Sequence, residues 1–162
     1  MLKMTIKAQG TLHIILTDKN GHIKKDVTVP NIVVDTGLEF IARRMLQSPF
    51  PADFAAMSHM AIGTDDDTLD PSEKTELGDE VARSVIVSSS VVQQTQVQYT
   101  ASFLAGVGTG PIVEAGIFND TTAGRMLCRT TFPVINKESD DTLSITWTIQ
   151  ILPDCETDPE TA

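Results

Sequence analysis

From Thr142 to Ile151 the chain alternates without a fault: Leu143, Ile145, Trp147, Ile149 and Ile151 are separated by Ser144, Thr146, Thr148 and Gln150. A period of two belongs to a strand with one buried and one wet face, because successive side chains leave a pleated backbone on opposite sides. A helix would scatter the same apolar residues around its circumference. Gln94 to Phe103 repeats the pattern, with Val97, Tyr99, Ala101 and Phe103 on one face and Gln96, Gln98, Thr100 and Ser102 on the other. Half-buried strands of this kind need partners, so the chain is predicted to be mainly β and antiparallel.

The rest of the sequence supplies those partners. Thr11 to Thr17 reads as a strand, and Asn20-Gly21 is a tight-turn pair that returns the chain along His22 to Val29. Pro30 and Asn31 are expected to break that strand, with Ile32 to Val34 a further short β stretch. One helix is expected at about 37–47, opened by a capping box of Thr36 and Glu39 and carrying an apolar stripe of Leu38, Ile41, Ala42, Met45 and Leu46. Ser48-Pro49-Phe50-Pro51 should end it, with Phe50 and Phe54 pinning the loop that follows. Met57 to Ile62 suits a short buried strand, and the stretch up to Gly78 an irregular acidic connection. From Asp79 the β-branched residues and regularly spaced turns describe a meander, through Pro111–Phe118 and Arg125–Phe132 to the last strand. The fold class is thus an antiparallel β-sandwich or flattened barrel with one capping helix. It forms a single domain over 1–152 (hairpin 11–29, helix 37–47, meander 79–152), followed by an acidic C-terminal tail, 153–162.

Composition excludes several functions. The chain of 162 residues carries 22 acids against 12 bases, a net charge of −10, which argues against binding a phosphate backbone. No apolar run approaches the ~20 residues of a membrane span, and the first residues lack the apolar core of a signal peptide. The sequence therefore reads as that of a soluble protein made in a cytoplasm, with no membrane and no nucleic-acid partner. Of the two cysteines, Cys128 suits a core strand and Cys155 a free thiol, with no disulfide expected between them.

No catalytic or cofactor site is legible. His13, His22 and His59 stand apart from any nucleophile motif. Asp65, Asp67 and Asp70 are weak candidates for a calcium site, since they lack the glycine and distal glutamate of an EF-hand loop. A solvated acidic turn accounts for them. Gly106 to Gly110 has a phosphate-loop look but leads into Pro-Ile-Val rather than a helix, and reads as a hairpin loop. What the chain does offer is uncharged strand surface, in Gln93, Gln94, Gln96 and Gln98 and again from Thr142 to Gln150. Neutral strand edges invite pairing unless something covers them. The expected partner is the chain itself, as a homo-oligomer, with a trimer one possible form.

Three segments together carry a resemblance. They are Asn31-Ile32-Val33-Val34-Asp35-Thr36-Gly37 leading into the helix, then Met60-Ala61-Ile62-Gly63-Thr64 with the later Glu80 and Arg83, and finally Gly108 to Asn119 (G-T-G-P-I-V-E-A-G-I-F-N) continuing through Arg125–Phe132, Val134–Lys137 and Thr146-Trp147-Thr148. This layout resembles small virion structural proteins of tailed bacteriophages, of the tail-fibre-like, tail and head-decoration types, over about Gly10 to Leu152. The I-x-E-A-G-I-F-N segment is also similar to the β modules that open phage tail-collar fibre proteins.

The resemblance implies a non-enzymatic, oligomeric accessory component of the tail, neck or fibre apparatus. It would be made in the bacterial host and built into the virion beside other virion proteins, without a cofactor. A capsid decoration protein that cements the head is the alternative. A host-glycan-binding module is a third reading, disfavoured by the single Trp and single Tyr. The residues singled out as structural are Tyr99, Phe103, Glu114, Gly116, Phe118 and Trp147. Glu114 is expected to pair with Arg125 or Arg129 across a hairpin, and Gly116 to let a neighbouring backbone come close.

Overall fold

A computed structural model describes residues 3–46, 49 and 51–156. Nine strands and one helix follow one another along the described chain: β1 (Lys3–Thr17), β2 (Ile23–Val33), α1 (Asp35–Arg43), β3 (His59–Gly63), β4 (Glu80–Val85), β5 (Ser88–Gln93), β6 (Gln96–Phe103), β7 (Gly110–Phe118), β8 (Met126–Lys137) and β9 (Thr142–Glu156). All pairings are antiparallel, in the single order β4-β3-β7-β8-β2-β1-β9-β6-β5. The mainly β, sandwich-like class and the capping helix follow as expected, and the sheet does not close into a barrel.

The sheet folds over on itself at β2. Ile23 to Asn31 pair with β1, whereas Ile32 and Val33 pair with Arg129 and Cys128 of β8. Pro30 therefore does not end the strand. It pairs with Thr11 one residue before β2 leaves β1, and its carbonyl accepts from the Thr130 hydroxyl at 2.7 Å.

Two leaves result, β1-β9-β6-β5 and β8-β7-β3-β4. Their inner faces share one core: Leu12, Ile14, Phe103, Leu143, Ile145 and Trp147 meet Met60, Ile62, Ile112, Ile117, Leu127 and Ile135. Trp147 and Phe103 are wholly buried and Tyr99 is half-buried at the margin, as the alternation predicts. At the far side Ile86 and Val87 cross between the leaves, their N–H groups donating to Ser58 O (2.8 Å) and Thr100 O (2.9 Å).

The helix differs from its expected form. It covers 35–43, and Val34 is its N-cap without any side-chain capping bond. The Thr36 hydroxyl donates instead to the Met126 carbonyl of β8 at 2.8 Å, and Glu39 reaches sideways to Arg43 and Arg125. The helix start is thus tied to the sheet, and the capping box does not form. The apolar stripe is also corrected: Leu38, Met45 and Leu46 are exposed, while Gly37 and Phe40 are buried. A short helix lying across the end of a sandwich touches it along a single line, and Gly37 lets that line approach the Leu127 carbonyl directly. Gln47, Ser48 and Phe50, expected to close the helix and pin the next loop, lie outside the described residues. At the other end β9 runs to Glu156, so the first four residues read as tail are strand. Residues 157–162 lie outside the description.

Candidate functional site

β7 explains the E-A-G-I-F segment. Ala115 and Ile117 face the main core, while Glu114, Gly116 and Phe118 face the opposite way. That outer side is not open to solvent. The acidic connection 64–79 lies over it, and its Leu77 joins Phe118, Ala61, Val34 and Met126 in a second small core. A Cβ at Gly116 would meet Leu77 Cδ2 at 3.1 Å and the Cys128 carbonyl at 3.2 Å. The close approach expected at this glycine is thus a loop side chain together with backbone.

Glu114 holds the acidic loop in place. Its side chain is fully buried and that of Arg129 is 4% exposed. Oε2 accepts from Arg129 Nη2 (2.8 Å) and Nε (3.1 Å) and from the Gly78 N–H (3.1 Å). Oε1 accepts from the N–H groups of Asp79 (2.9 Å) and Asp65 (3.3 Å), and Arg129 Nη1 donates onward to the Asp67 carbonyl (3.0 Å). One carboxylate therefore clasps both ends of the loop, and its buried charge is paired and saturated with donors. A Cβ at Gly63 would overlap this carboxylate and the Asp79 carbonyl. That contact accounts for the glycine in M-A-I-G-T.

Of the two partners expected for Glu114, Arg129 is the one found. Arg125 binds Glu39 (3.0 Å) and Asp53 (3.1 Å) and stacks on the Phe54 ring at 3.9 Å, fastening the helix end of the molecule to the β7–β8 turn. Asn119 completes that turn: its amide donates to the carbonyls of Asp53 and Ala55 and accepts from the Arg125 N–H. Arg83 does the same from β4. It forks onto Glu80 (2.6 and 2.8 Å), lies 3.9 Å above the Phe118 ring and donates to the carbonyls of Asp120 and Ala123. The sequence shows Glu80, Arg83, Asn119 and Arg125 as residues of the resemblance, but gives no sign of which turns they fasten.

The remaining candidates take ordinary structural roles. Asp65 Oδ1 accepts from the Asp67 N–H and Asp67 Oδ1 from the Leu69 N–H, both at 2.9 Å. Asp67 also binds Lys74 (2.8 Å), which holds its carboxyl below the usual range. Asp70 sits at φ 46° in the turn. Among the described residues no group of three or more His, Cys, Asp or Glu could hold a metal ion. His13 bonds Asp26, His22 bonds Asp18, and His59 bonds its neighbour Ser58. Burial pushes the Cys128 thiol well up, away from the reactive thiolate.

The other leaf contrasts with this one. Registered across its strands, the outward residues form rows: Thr11–Thr148–Gln98–Ser90, His13–Thr146–Thr100–Ser88, Ile15–Ser144–Ser102 and Gln9–Gln150–Gln96. No Lys, Arg, Asp or Glu occurs in 11–17, 88–103 or 142–150. Nothing in the described chain lies over these rows as the acidic loop lies over β7. Eight acids against one base fall in 65–80 on the opposite leaf. Charge is therefore segregated, with one outer face acidic and the other neutral and rich in hydroxyl and amide groups. On the other side of the β5 edge strand, Val91, opposite Val97, is 69% exposed.

No protein-family model, curated protein or solved structure matches this chain.

Proposed function

We propose that this protein is a non-catalytic structural component of a tailed-phage particle that works as a homo-oligomer in the tail, neck or fibre apparatus. The observation that carries the reading is the uncovered neutral leaf. A molecule of charge −10 repels its own copies at most approaches. The β1-β9-β6-β5 face and the β5 edge are where copies can meet without opposing like charges, and neutral sheet surface and edges are ordinarily guarded by charge when they stay solvated. The phage assignment rests on the three-segment resemblance. Its most distinctive segment, I-V-E-A-G-I-F-N, is built around a loop-fastening carboxylate and a turn-fastening asparagine, which are structural devices.

The test is quantitative mass spectrometry of particles purified from the phage that encodes the chain. The reading predicts a few to some dozens of copies per particle. Hundreds of copies would move the protein to the head as a decoration protein, and absence from the particle would overturn the reading.

A further inference from the structure

Two strands end the sheet, β4 and β5. β4 carries charge, in Glu80 and Arg83 paired at 2.6 Å. β5 carries none, and every one of its residues from Ser88 to Gln93 is exposed. It pairs with β6 along one edge, from Ser88 opposite Thr100 to Val91 opposite Val97, before a register shift between Val91 and Gln93 ends the even run. Among the described residues no strand pairs with its other edge. Ser88 and Ser90 turn to the neutral outer face beside Thr100 and Gln98, so Ser89 and Val91 turn inward beside Tyr99 and Val97. There they border an open groove whose walls include Phe40, Met57, Val97 and Tyr99. Val91 points to that side and is still 69% exposed.

An unpaired strand edge presents a row of N–H and C=O groups to any strand that can lie beside it, and charge is one of the usual guards against this. We infer that two copies of this chain pair β5 to β5, antiparallel, across a two-fold axis normal to the sheet. This deepens the homo-oligomer reading and rests on it.

Charge and symmetry select a second copy as the occupant. A chain of net charge −10 repels itself, so a contact between copies has to avoid opposing like charges. No Lys, Arg, Asp or Glu occurs from 88 to 103, so β5 and the β6 strand behind it meet their own copies without any. The contact is isologous: each edge fills the other, and neither is left bare. The axis carries inward side chains onto inward ones, so odd-numbered residues of β5 face odd and even face even. With Ser90 on the axis, Ser89 of each copy stands opposite Val91 of the other, and Val91 gains a cross-strand neighbour above the groove. The two neutral outer faces then run on as one surface, which stays available to further copies.

A cysteine scan of β5 in the full chain tests this. Ser88→Cys, Ser89→Cys, Ser90→Cys, Val91→Cys and Gln93→Cys are each made with Cys155→Ser, which leaves the buried Cys128 as the only other thiol. Mild oxidation should cross-link dimers at one position among 89, 90 and 91 and fall away on both sides. A disulfide needs Cα atoms within about 7 Å, and each step from the axis carries a residue and its copy about 7 Å further apart along the strands. Sedimentation velocity of Val91→Lys should show association at least ~5-fold weaker than wild type, because a charge then stands within the pairing edge. Val91 lies on the inward side of β5, so this variant leaves the neutral outer rows unaltered. Equal cross-linking all along β5, no cross-linking at any position, or wild-type association in Val91→Lys overturns the β5 pairing and leaves self-association through the outer face standing. A wild type that stays a single chain overturns self-association itself.

Discussion

The Glu114 carboxylate meets the Arg129 guanidinium at 2.8 Å with both side chains shielded from solvent, and through this pair the acidic loop becomes part of the fold. The ion pair lies between sheet and loop, so its loss acts in two places. It strips a buried arginine of its counter-charge, and it releases the N–H groups of Asp65, Gly78 and Asp79.

Glu114→Ala is therefore expected to destabilise the protein by about 3–5 kcal/mol, the range for breaking one side of a buried pair. Replacing both partners, Glu114→Met with Arg129→Met, should cost far less, since it leaves no uncompensated charge. The double variant should nonetheless be cut by protease between 64 and 79, where the wild type resists. Urea denaturation and limited proteolysis read the two effects separately. A single variant as stable as wild type would contradict the staple.

Trp147 is wholly buried, and its Nε1–H has no acceptor. Trp147→Ala should cost about 3–5 kcal/mol through the cavity it leaves. Trp147→Phe should cost clearly less, because it keeps much of the volume and removes an unsatisfied donor. As the chain's single tryptophan, Trp147 should emit in the blue and resist iodide quenching until the protein unfolds. Quenching in the native state would place it elsewhere.

Several carboxyls are held below their ordinary values by hydrogen-bonded cations: Asp67 by Lys74, Asp141 by Lys24 and Glu39 by Arg43. Each binds its proton less tightly folded than unfolded, so the unfolded state takes up more protons on acidification. Their contribution is intact above the ordinary values of 3.8 for Asp and 4.5 for Glu and is lost as pH falls through the depressed ones. The melting temperature of a dissociated variant should accordingly hold from neutral pH to about 5 and then fall steeply below about 4, as this linkage requires. Asp141→Asn should flatten that fall. A melting temperature that holds steady to pH 2 would contradict these pairings.

β6 and β9 were legible because each has one wet and one dry face: Gln96 to Phe103 and Thr142 to Ile149 show their burial in their spelling. β7 was legible as a strand but not as one covered on both sides, since the cover comes from a loop of acids that reads as solvated. Only the placement of Leu77 and the clasp on Glu114 show the loop to be a lid. The helix misled for a related reason. Leu38, Met45 and Leu46 have the spacing of a buried stripe, yet a helix laid across a sandwich end is positioned by its tether at Thr36 and its contact at Gly37. The last stretch of β9 was hidden because Asp154 and Glu156 read as a tail until β1 is seen beside them.

The account's central claim is self-association through uncharged β surface. Sedimentation equilibrium of the wild type beside Thr148→Lys, a charge placed in the middle of the neutral rows between Thr11 and Gln98, tests it most directly. The wild type should weigh several times the 17.5 kDa chain, and the lysine variant should shift toward the single chain with its melting temperature unchanged in the dissociated state. A wild type that remains a 17.5 kDa species at the highest concentration reached would contradict it.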